Sequence, residues 1–166
     1  GLNHASQTEG ASPAFLNILD EERELMVGIS DMRVMDELTP AWLADKLDFL
    51  NSCDAVIMDA NLSPKALQYL SGELTVPLIY EPVSGTKAPR IGEALSKCTI
   101  LKANRIEAGI LTGCSCDTVR GTYRAAEQLL SRGVKNVFIS LGAEGVVWAD
   151  NNGCGHLEAE PVKVVD

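Results

Sequence analysis

The feature that most constrains this chain is a recurrent unit. A short apolar run is closed by small or polar residues and followed by a helical segment. The apolar runs lie within Asp54–Asp59, Val76–Tyr80, Thr99–Leu101 and Val137–Leu141. The first contains Ala-Val-Ile-Met without a polar break, as expected of a strand buried on both faces of a parallel sheet. Helical stretches separate the runs. Thr39-Pro40 and Ser63-Pro64 are helix starts, with a hydroxyl cap before proline at the first helical position. Leu43, Leu47 and Leu50 then fall on one face. Ile91, Ala94, Leu95 and Cys98 mark a further helix, and Asn104 opens a short one that stops near Gly113. Asp117 is placed to cap a long helix whose inner face is Val119, Tyr123, Ala126 and Leu130, with Gly133 at its end. Strands alternating with helices predict an α/β fold with a mostly parallel sheet between two helical layers.

Outside that pattern lie two hairpins. Phe15–Asp20 and Glu24–Ser30 alternate in polarity around a polar turn, Asp20-Glu21-Glu22-Arg23. Gly145–Ala149 and Cys154–Glu158 flank Asn151-Asn152-Gly153. The chain thus divides into a hairpin at 15–32 and an α/β portion at 39–166.

Composition narrows the function classes. A net charge of −9 argues against a nucleic-acid binder. No apolar run approaches the ~20 residues of a membrane span. The cysteines, Cys53, Cys98, Cys114, Cys116 and Cys154, are odd in number and irregularly spaced. Free thiols in a cytosol-like compartment are therefore expected. The first ten residues show no signal peptide and no initiator Met.

Ligands in open parallel sheets bind beyond the carboxyl ends of the strands. Here those ends are Asp59-Ala-Asn61, Glu81-Pro-Val-Ser84, Lys102-Ala-Asn104 and Ser140-Leu-Gly142. Asn104 and Glu107 have the spacing of a helix capping box. The same pair could organise water around a magnesium ion on nucleotide phosphates. Ser140, Gly142 and Gly145 lie in a turn that either joins two strands or lets a nucleotide approach the backbone. Lys87 is a candidate cation for a phosphoryl group. Asp59, Asn61 and Glu81 are candidates for sugar hydroxyls, or turn residues.

Two segments carry a family resemblance: Leu101-Lys-Ala-Asn-Arg-Ile-Glu-Ala-Gly-Ile-Leu-Thr-Gly113 and Val137-Phe-Ile-Ser-Leu-Gly-Ala-Glu-Gly145. In this order they resemble the PfkB (ribokinase-like) carbohydrate kinases, over nearly the whole chain. Phe15–Asp20 with Ser30-Asp31-Met32, Met58–Leu62, and Tyr80–Ser84 with Lys87 are most similar to pseudouridine kinases. The resemblance implies a three-layer αβα sandwich with a β-lid, to which the 15–32 hairpin belongs, and a homodimer contact through that lid. It also implies phosphoryl transfer from ATP with Mg2+ to a sugar or nucleoside hydroxyl, here the 5′-hydroxyl of pseudouridine. Asn104 and Glu107 would act on the metal through water, and Ser140, Gly142 and Gly145 on the nucleotide.

The family's glycine- and asparagine-rich substrate segment has no counterpart here. Its C-terminal Asp-Thr-x-Gly-Ala-Gly-Asp signature would begin at Asp166. The expected catalytic base therefore lies beyond Asp166, and the chain reads as an inactive central fragment. A ribokinase, fructokinase or adenosine kinase relative and a non-catalytic α/β module that binds a nucleotide or a partner are the alternatives.

Overall fold

The computed structural model describes residues 4–5, 7–21 and 25–161. Glu22 and Arg23 of the expected turn, Glu24 at the start of the expected second strand, and the onset of the C-terminal signature at Asp166 lie outside them. Two strands, β1 (Ala14–Leu19) and β2 (Leu25–Asp31), form an antiparallel hairpin. Its side chains find little cover: Phe15, Leu16, Ile18, Leu19, Met26, Val27 and Ile29 are all exposed.

The helical stretch after Thr39 is two short helices, α1 (Pro40–Ala44) and α2 (Leu47–Asn51), rather than one. Thr39 Oγ1 accepts from Trp42 N–H as the cap. The sheet follows: β3 (Val56–Asp59), α3 (Pro64–Glu73), β4 (Leu78–Glu81), β5 (Ile100–Asn104), α4 (Arg105–Thr112), α5 (Val119–Ser131), β6 (Asn136–Ser140), β7 (Val146–Asp150) and β8 (Gly153–Leu157). The six strands lie in the order β3-β4-β5-β6-β7-β8. β3 to β6 run parallel and β7 and β8 antiparallel.

Residues 88–97 form 3-10 turns broken at Gly92, where φ is +52°, instead of the expected helix. Thr118, not Asp117, caps α5, because the Asp117 carboxylate accepts from Ser115 Oγ. The buried stripe of α5 is Thr122, Ala125, Ala126 and Leu129. Of the expected face only Ala126 is fully buried; Val119, Tyr123 and Leu130 pack at its margins.

Strand order explains the core. A chain that moves steadily from β3 to β6 through right-handed crossovers places every connection on the same side. The packing agrees. Met58, Tyr80, Leu101, Ala103, Val137, Ile139, Val147 and Ala149 are buried in one cluster with Leu67, Leu70, Ile91, Leu95, Ala108 and Leu129. The α/β class and mainly parallel sheet are as expected. In keeping with an incomplete domain, the helices among the described residues pack on one face of the sheet, and the strands expected to be buried on both faces are covered on one. Ile57, Phe138 and Trp148 alternate with the buried positions and remain 71%, 40% and 38% exposed. Phe138 pairs with Trp148, and Trp148 with Gly155, along this open face. An apolar run in sequence signals apolar side chains on both faces of a strand, not cover on both.

Candidate functional site

The carboxyl ends of β3, β4, β5 and β6 line up in one row, with register pairs Asp59–Glu81 and Asn104–Ser140. Asn104 ends β5 and caps α4. Its Oδ1 accepts from Glu107 N–H at 2.9 Å, while Asn104 N–H donates to Glu107 Oε2 at 2.8 Å. The capping box read from the spacing is thus formed. Glu107 is only 1% exposed, and burial raises its pKa against the lowering effect of the Asn104 N–H bond. Glu81 pushes in the same direction as burial, and Lys102 opposes it.

Across the strand gap, Ser140 Oγ donates to Ala103 C=O at 3.3 Å. The turn beyond it holds Gly142 at φ +64° and Gly145 at φ +94°. These two glycines differ in kind. A Cβ on Gly142 would meet nothing within 4 Å, whereas one on Gly145 would overlap the backbone of Leu157 and Ala159. Only Gly142 therefore leaves open space over the backbone.

The other half of the row is held by side chains. Asn61 N–H donates to Asp59 Oδ1 at 2.8 Å, and Asn61 Nδ2 to Asp59 Oδ2 at 3.1 Å. Lys87 Nζ donates to Asn61 Oδ1 at 2.7 Å, which fixes Lys87 to the β3 end. Glu81 pairs with Lys102 at 3.2 Å. Between Glu81 and Lys87 the backbone turns sharply. Ser84 N–H donates to Pro82 C=O at 2.7 Å, and Val83 is the one non-glycine with positive φ among the described residues, at +66°. A β-branched residue there stores about 1–3 kcal/mol of strain, a feature that concentrates at binding sites.

The site thus contains the sequence-read residues in two clusters, Asn104, Glu107, Ser140 and Gly142 in one, and Asp59, Asn61, Glu81 and Lys87 in the other. Four further residues were not singled out by sequence: Val83, Arg90, Lys102 and Arg105. Arg90 Nη1 donates to Ala60 C=O at 3.0 Å. Arg105 Nη1 donates to Cys116 and Asp117 carbonyls, each at 3.0 Å, and Nη2 pairs with Glu144 at 2.7 Å. His156 Nε2 lies 2.5 Å from the Glu144 carbonyl oxygen. The 142–145 turn is therefore held from α4 and from β8. No spacing rule finds such long-range contacts; only the cationic residue type was visible.

No group of three or more His, Cys, Asp or Glu among the described residues could hold a metal. Asn104 and Glu107 each spend an oxygen on the other's backbone. They fit a magnesium ion held at one remove, through its water, better than one bound directly. No helix among the described residues is long and apolar enough to cross a membrane. All five cysteines are free thiols.

A family model described as pfkB family carbohydrate kinase matches residues 8–166. The chain belongs to this family. The pseudouridine kinase of Escherichia coli is 29% identical over 141 residues, covering 84% of this chain and 45% of the relative. The pseudouridine kinase of Arabidopsis thaliana is 28% identical, covering 82% of this chain and 42% of the relative. The ribokinase of Thermotoga maritima superposes with a TM-score of 0.77 at 22% identity, over 93% of this chain and 50% of that one. This last likeness shows the fold alone. The chain spans about half or less of the length of the curated relatives it matches.

Proposed function

We propose that the protein to which this chain belongs is a sugar or nucleoside kinase. It transfers the terminal phosphoryl group of ATP to a primary hydroxyl, with the 5′-hydroxyl of pseudouridine as the favoured acceptor. The observation that carries this reading is the β5–β6 end. There the Asn104–Glu107 box, with Glu107 buried, lies in register with Ser140 and the glycine turn after it, which is open at Gly142, on a chain of the pfkB family. The names of the curated relatives support the nucleoside acceptor.

In this reading the nucleotide lies over β5 and β6. Gly142 and Ser140 border its phosphates and ribose, and the backbone at Gly145 completes the turn. Asn104 and Glu107 orient water on a magnesium ion, which would supply charge neutralisation at the phosphates when bound. Glu107 is held fast by burial and by the Asn104 N–H, so it need not reorganise during reaction. Asp59, Asn61 and Glu81 take the acceptor side, and Lys87, bonded to Asn61, stands with them. The base that receives the hydroxyl proton is contributed from outside the residues considered above. The 15–32 hairpin closes over the acceptor, and its exposed apolar side chains suit pairing with a second copy.

The test is ATP- and magnesium-dependent phosphorylation of pseudouridine, ribose, fructose and adenosine by the protein at its native length. Turnover that favours pseudouridine supports the reading. Turnover that favours another acceptor reassigns the substrate. No turnover with any of them, alongside measured nucleotide binding, favours a non-catalytic nucleotide-binding module.

A further inference from the structure

Between the end of the hairpin and the β3–β4 half of the row lies a cleft of about 230 Å³. Ser30, Met32, Arg33 and Asp36 line one side; Asn61, Lys87 and Arg90 line the other. It is smaller than the roughly 300–1,000 Å³ of sites that hold drug-sized ligands, so it suits part of a substrate rather than a whole nucleotide. It also lies apart from the glycine turn. Asn61 follows β3, two strands from β5 and three from β6. At ~4.8 Å per strand that is roughly 10 Å and 14 Å across the sheet.

The chemistry of the core wall is one-sided. A lysine ammonium has three donors and no acceptor, and a guanidinium has five N–H donors and no acceptor. Lys87 spends one donor on Asn61 and Arg90 one on Ala60 C=O. Neither makes an ion pair among the described residues. The nearby carboxylates are otherwise engaged or stand opposite: Asp31 is taken by Arg33, Asp59 by Asn61, and Asp36 lines the far wall. A bare sugar, whose hydroxyls both donate and accept, is a poor match to a wall of donors.

We infer that Lys87 and Arg90 read a part of the acceptor that is remote from the phosphorylated hydroxyl and rich in oxygen acceptors. Ring carbonyls of a pyrimidine-dione nucleoside fit this description, as does an acidic group on a sugar. The inference rests on the kinase reading above and gives it a specificity element. It makes Lys87 a contact of the acceptor rather than of ATP.

The experiment uses the protein at native length and the variants Lys87→Met and Arg90→Met. KM and kcat are measured for a dione nucleoside, for D-ribose, for the sugar acid D-ribonate and for ATP. Loss of a hydrogen bond from a charged donor should raise KM for the dione nucleoside by about tenfold or more. KM for ribose and for ATP should change less than about twofold. If wild type prefers ribonate, and that preference is lost in both variants, the group recognised is anionic and the inference stands with that source. A rise in KM for ATP would overturn it by placing Lys87 on the nucleotide. So would an equal rise for ribose and the dione nucleoside. If no acceptor is turned over, the kinase reading fails separately. Calorimetric binding of the dione nucleoside still decides the cleft: weaker binding by Lys87→Met supports it, and unchanged binding overturns it.

Discussion

The two halves of the strand-end row are built differently. In the β5–β6 half, every fixing bond of Asn104, Glu107 and Ser140 has a backbone group at one end. In the β3–β4 half, Asp59, Asn61, Lys87, Glu81 and Lys102 are linked mainly side chain to side chain. Backbone-anchored groups hold one geometry and suit a ligand common to all reactions of a family. Side-chain links between partly exposed groups change at small energetic cost and suit a variable acceptor. In the proposed reading, the difference separates nucleotide binding from acceptor selectivity within one row.

The sharpest break should come at Gly145. Gly145→Ala meets both a positive φ and the Leu157 backbone. It should cost more than about 2 kcal/mol and abolish nucleotide binding, read by thermal melts and calorimetry. Gly142→Ala should cost only about 1–2 kcal/mol, because its Cβ meets no protein atom. If nucleotide binding nonetheless falls further than the stability loss explains, the open space there is ligand space. Asn104→Ala removes the cap and leaves Glu107 N–H unpaired, a loss of about 1 kcal/mol in denaturant melts.

Glu107 supplies a pH test. Burial raises its folded pKa above the unfolded value of roughly 4.3, so the folded state holds the proton more tightly. Its contribution is most favourable below that value and is lost as pH rises through the folded pKa. Glu107→Gln should therefore gain stability relative to the natural chain as pH rises above about 4.3. A flat difference across that range would remove the argument for a strained, preorganised carboxylate. In the other half, Glu81→Gln breaks a partly exposed pair with Lys102 and should cost under about 1 kcal/mol, less at high salt.

Much of this was legible because it is local. Thr39, Ser63 and Asn104 sit as caps where their spacing puts them, and Gly113 adopts the left-handed end of α4. Strand bounds moved by one to three residues. The break between α1 and α2, the kink at Gly92 and the cap at Thr118 rather than Asp117 were not legible; at the last, a bond from Ser115 Oγ two residues away engages the Asp117 carboxylate, a choice between neighbouring cap types that spacing does not make. The open face was hidden for a stronger reason. Ile57, Phe138 and Trp148 have the residue types of a doubly covered strand, and the helices among the described residues pack on the other face. The site residues came from their positions at strand ends. Their division into two halves came from bonds such as Lys87 to Asn61, between residues far apart in sequence.

The central claim is that nucleotide occupies the β5–β6 half. Amide chemical shifts of the labelled protein, followed while magnesium and ATP are added, test it directly. The account predicts shifts at residues 104–107 and 140–145, with 30–36 and 59–61 unmoved. Shifts confined to 30–36 and 59–61, or none at saturating nucleotide, would contradict it.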